Sequence, residues 1–170
     1  MTIEHFLLKD IPDTLLTEAV SEIKPFTTAF VSELHHVGSG TFAVINGRHG
    51  ILTADHVWEA IQVKSLSNPM ISILVAEGAH RFELHVRELV PHLALGYDPN
   101  GTKPDIQFLE IPAGCLGTIQ AKKRFINLSK SSVDRCKFAS SESGFVVIAG
   151  FPSEFSPDPE IHPSEDEHSG

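Results

Sequence analysis

Positive charge is in short supply in this chain. Lys and Arg number 13 against 22 Asp and Glu, a formal net charge of -9. The basic surface that nucleic acid or an anionic membrane requires is therefore missing, and neither is expected as a partner. Long apolar runs are missing too. The longest, such as Ile71 to Ala76, fall far short of the roughly 20 residues that cross a bilayer. Met1 to Asp10 has no basic region, no long apolar core and no small-residue cleavage site, so no secretory signal is read and a soluble, cytoplasmic chain is expected. Cysteine is nearly absent. Cys115 and Cys136 are too few for a disulfide framework and are expected to be reduced. The ten histidines fall into no HExxH or Cys/His ligand spacing, and adjacent His35 and His36 would point to opposite faces of a strand. No metal and no cofactor is expected.

What is present suits a globular domain. Hydrophobic residues make up 41% and charged residues 21% of 170, enough to bury a core in a chain of this size. Asp13 is positioned to cap a short helix with Leu15, Leu16, Ala19, Val20 and Ile23 on one face, ended by Pro25. From Thr27 the pattern changes to short runs of Val, Ile, Phe and Thr, with candidate strands at 28–36, 41–46, 50–54, 70–76, 81–89 and 105–110. Their close spacing, with only a helical turn after His56, points to a small closed β-barrel. Residues 112–117 read as a loop, followed by strand candidates at 124–128, 133–139 and 144–150. Residues 153–170 are acidic, Pro-rich and nearly free of apolar side chains, which predicts a disordered tail.

Two motifs carry chemistry. Gly38-Ser39-Gly40-Thr41-Phe42-Ala43-Val44-Ile45 is followed, across the turn Asn46-Gly47-Arg48-His49, by Gly50-Ile51-Leu52-Thr53-Ala54-Asp55-His56-Val57. The second is Asp105-Ile106-Gln107-Phe108-Leu109, 49 residues after His56, an aspartate opening a strand of alternating apolar residues. Singly, each has an ordinary explanation: a polar residue at a strand end, and a turn-forming Asp after Pro104. Asp55 reads most simply as a cap for the turn that follows. Together the motifs resemble the first hairpin, histidine box and aspartate strand of the trypsin-like (chymotrypsin-type) serine peptidases, with Asp55 and Gln107 at positions where that family usually has small residues. The strand ending Gly150-Phe151-Pro152 is similar to part of the family's second barrel.

The resemblance implies an all-β fold: a chymotrypsin-like N-terminal β-barrel with a short leading helix and an incomplete second barrel. The segments would be 1–26 helical, 27–112 the first barrel with His56 and Asp105, 113–152 a partial second barrel, and 153–170 the tail. It also implies peptide-bond hydrolysis through an acyl-enzyme, with His56 as general base, Asp105 as its orienting acid and a peptide or protein as substrate. The family's nucleophile sits in Gly-x-Ser-Gly-Gly, which these 170 residues lack. Ser143-Gly144 imitates the second half of that motif, and so does Ser169-Gly170, where Glu167 replaces the first glycine. The expectation is a chain that ends before the nucleophile, is inactive alone and self-associates through exposed second-barrel strands. Two alternatives stand beside it: a non-catalytic binding or regulatory module on a peptidase fold, and a short active peptidase using Ser143.

Overall fold

The computed structural model describes residues 12–33, 35–75, 80–93 and 104–128. The strands expected at 133–139 and 144–150, the tail from 153, Ser143, Ser169 and Cys136 lie outside them. The described residues are mostly β-sheet with a few helices, an all-β arrangement curled into a half-barrel. In chain order they give α1 (Asp13–Ile23), β1 (Thr27–Ser32), β2 (His35–Ile45), β3 (Arg48–Thr53), α2 (Asp55–Lys64), β4 (Met70–Leu74), β5 (Arg81–His85), β6 (Val90–Leu93), β7 (Gln107–Glu110), α3 (Ala113–Gln120) and β8 (Ile126–Asn127). The sheet runs β5-β4-β1-β2-β3-β7-β6 through antiparallel pairs, and β8 lies parallel to β2.

Strand register explains where the core sits. Phe30 faces Ile73, Phe42 faces Ile51, Ile51 faces Leu109 and Ile71 faces Leu84. All of these side chains are essentially fully buried. Because a strand alternates its faces, these apolar cross-strand pairs fix the register: a slip by one residue would turn the whole set toward water. The β2–β3 hairpin is pinned by Asn46 and Gly47, whose φ angles are 51° and 80°. Positive φ at both central residues suits the twist of the flanking strands.

α2 closes this core. Val57, Trp58 and Ile61 are its buried residues, spaced to share one face. A helix of ten residues is marginal in water on propensity alone. Burying these three side chains, at about 1.5 to 3 kcal/mol each, is what holds it. α1 is the opposite case, for none of its residues is buried.

Several local expectations need correction. Asp13 lies inside the first turn of α1, makes no capping bond, and follows Pro12, whose carbonyl starts the helix. Residues 28–36 are two strands, because Glu33 takes a φ of 49° and turns the chain. The helical turn after His56 is a full helix, and 81–89 ends as the strand β5 followed by a 3-10 turn at Val86–Glu88. The loop expected at 112–117 is α3, which puts Ile119 into the core. Within the segment 113–152, the described residues 113–128 join the same sheet through β8 and pack Phe125 against Phe42, ring centroids 5.2 Å apart.

Candidate functional site

His56 and Asp105 meet where β3 runs into α2 and the chain enters β7. β3 delivers the histidine because its inward side chains, Ile51 and Thr53, are anchored: Ile51 in the core, and Thr53 through its hydroxyl, which donates to the Ser39 carbonyl at 2.7 Å. Ala54 then stands at the N-cap position without a side-chain capping bond. Asp55 and His56 open the helix with backbone N–H groups that have no partner within it.

Asp105 supplies that partner from a bend two residues before β7. Its Oδ1 accepts from the His56 backbone N–H at 3.0 Å, and its Oδ2 accepts from His56 Nδ1 at 2.6 Å. One carboxylate thus holds both the start of the helix and the imidazole ring. The His56 backbone N–H, first, and then the His56 ring hold the Asp105 carboxyl below its ordinary value. Donors aimed at the ionised form favour it, and helix N-termini favour negative charge. The Asp55 backbone N–H adds a smaller push in the same direction on the Asp105 carboxyl.

The pair is open to solvent, with the His56 side chain 71% and the Asp105 side chain 55% exposed. Nδ1 is taken by the aspartate, so Nε2 is the nitrogen left for an incoming proton. Among the described residues, His56 makes its hydrogen bonds to Asp105 and none to a serine hydroxyl. No group of three or more His, Cys, Asp or Glu among them is arranged to hold a metal ion. Cys115 is a free, half-buried thiol, and none of the described helices is long and apolar enough to cross a membrane.

A second cluster escaped the sequence reading. Glu110 Oε2 accepts from Arg48 at 2.8 Å and from His92 Nε2 at 2.7 Å. Register places this trio on the sheet face away from the core, because Leu52 pairs with Phe108 while their neighbours Ile51 and Leu109 point inward. A groove of about 340 Å³ runs along that face, lined by Ile45, Arg48, Leu52, His92, Ile106 and Phe108. The three polar partners lie on three different strands. Only their alternation with core residues, every second position of β7 and β3, could have signalled a shared face.

Matched against protein-family models, curated proteins and solved structures, the chain gives no match. The class that fold and site define is therefore a mostly β chain with an oriented, exposed His–Asp pair.

Proposed function

We propose that this chain presents the base and orienting acid of a trypsin-like serine peptidase site on a chymotrypsin-like barrel, acting on a peptide or protein substrate. The observation that carries the reading is the two-point hold of Asp105 on His56, ring and backbone together. A base held this way keeps one tautomer, with the proton on Nδ1 and the lone pair on Nε2. In the reaction Nε2 takes the proton of an attacking hydroxyl as its oxygen bonds to the scissile carbonyl carbon, and Asp105 stabilises the imidazolium that results. Nothing in these steps needs a cofactor. The sequence contains no Gly-x-Ser-Gly-Gly, so the reading assigns the base and the acid and leaves the hydroxyl and the oxyanion donors unassigned.

One observation favours a second reading, a binding or regulatory module. The N-cap residue of α2, Ala54, makes no side-chain capping bond, and Asp105 provides one to the His56 N–H, a stabilising role that needs no chemistry. Asp105→Asn separates the two. It keeps an oxygen for the His56 N–H but turns a donor toward the ring, which supports the wrong tautomer. Hydrolysis of p-nitrophenyl acetate by the full chain should contain a component lost in both His56→Ala and Asp105→Asn, with the unfolding midpoint of Asp105→Asn close to wild type. Equal rates in all three proteins would leave only the capping role. A fluorophosphonate probe then locates any activated hydroxyl: His56-dependent labelling of Ser143 would make the chain a self-contained peptidase.

A further inference from the structure

Gly38 has no side chain at the point where α2 comes down onto β2. A Cβ built there would stand 2.5 and 2.6 Å from the two methyl carbons of Val57 and 3.2 Å from its Cβ. The φ of Gly38 is not positive, so the constraint is space and not backbone conformation. Val57 is 6% exposed and belongs to the core, with little room to swing away.

The next residue makes a second tie. Ser39 accepts the Thr53 hydroxyl bond at 2.7 Å, so two successive residues of β2 seat the β3–α2 junction at both ends, Thr53 before it and Val57 after it. His56 lies between these anchors. A bulge prepares the seat: Phe30 pairs with Gly38 but Val31 pairs with His36, which leaves Val37 as the extra residue. Bulges bend a strand and re-aim the residues beside them.

We infer that Gly38 is a positioning residue for His56, setting the height of the first turn of α2 above the sheet so that ring and backbone N–H both reach Asp105. The magnitude supports this. Ordinary van der Waals contact begins near 3.4 Å, so a Cβ at position 38 requires Val57 to retreat by close to 1 Å. His56 precedes Val57 directly in the chain. A hydrogen bond of 2.6 Å stretched by that amount reaches about 3.6 Å, where it no longer counts as one. The consequence for catalysis rests on the peptidase reading, whereas the coupling of Gly38 to the His56–Asp105 geometry does not.

The test therefore needs no substrate. The Asp105 carboxyl is titrated by carbon-13 NMR in the full-length protein, in Gly38→Ala and in the double variant Gly38→Ala/Val57→Ala. Gly38→Ala is expected to move the Asp105 titration upward toward the ordinary carboxylate range, because the two largest depressing contacts come from His56. Removing the Val57 methyls is expected to return it toward the wild-type position. A folded Gly38→Ala protein with the wild-type titration would overturn the inference, and so would a double variant that stays shifted. Should Gly38→Ala not fold, the double variant must fold with the wild-type titration. Its failure to do so would show that Val57 is not the obstruction and would also overturn the inference. Esterase activity lost in Gly38→Ala and regained in the double variant would extend the coupling to function. A titration that behaves as expected without any His56-dependent activity would retire the peptidase reading and leave the coupling intact.

Discussion

Replacing Gly50 by alanine should be among the most damaging one-carbon changes in this protein. Gly50 is buried in β3, opposite Ala43 on one side and Glu110 on the other. A Cβ there would lie 2.4 Å from the Leu109 carbonyl oxygen and 2.5 to 2.7 Å from the edge of the Phe108 ring. The ring could turn, but the carbonyl is main chain. Relief has to come from moving β7 away from β3. Overpacking of this kind costs about 1 to 3 kcal/mol, and weakening a ladder hydrogen bond adds about 1 kcal/mol. Against these stands a gain of about 0.5 to 1 kcal/mol from replacing a strand glycine. The net loss is about 2 kcal/mol, which lowers Tm by about 4 to 8 °C in a chain of this length. Gly114→Ala is the control with the opposite sign: its Cβ would meet nothing within 4 Å, and in a helix the exchange should raise stability by up to about 1 kcal/mol. Trp58, the one tryptophan in the sequence and 7% exposed, reports unfolding by fluorescence in urea or on heating. Equal stabilities for the two variants would refute the argument that the approach of β7 to β3 is what demands Gly50.

Lys123 is buried with its Nζ donating to the carbonyls of Thr27 at 2.6 Å and Lys24 at 3.1 Å, and burial pushes its pKa down. Lys123→Met keeps most of the stem but leaves both carbonyls without that donor, and should cost about 1 to 3 kcal/mol in urea unfolding. Hydrogen bonds from Arg48 and then His92 hold the Glu110 carboxyl below its ordinary 4.5. A depressed folded-state value means that this contribution is present above about pH 4.5 and lost as pH falls through the folded value. Glu110→Gln should therefore flatten the acid limb of the stability–pH curve below that point and leave its shape near pH 7 unchanged.

The parts of this fold that could be read from sequence are those with local signals. Asn46-Gly47 announces its hairpin, and Phe42, Ile51 and Leu109 sit where strand alternation places a core. His56 and Asp105 were legible as a pair only because two motifs at separate places imply one geometry. What could not be read depends on contacts between distant segments. Nothing in Ser32-Glu33 signals a left-handed residue, since it holds no Gly, Asn or Pro. α3 carries two glycines, Gly114 and Gly117, whose poor helix propensity argues for a loop, and it is the burial of Ile119 against the sheet that overrides them. The cap that Asp105 places on α2 and the seat that Gly38 gives Val57 join residues from different elements, and neither leaves a mark in local composition.

The account depends most on His56 being held as a poised base. Nitrogen-15 NMR of the neutral imidazole reads this directly, in the wild-type chain and in Asp105→Asn. The expected spectrum has the proton on Nδ1 and an unprotonated Nε2 in the wild type, with that preference lost in Asp105→Asn. A ring that carries its proton on Nε2 in both proteins would contradict it, because a nitrogen already protonated cannot accept a proton from an attacking hydroxyl.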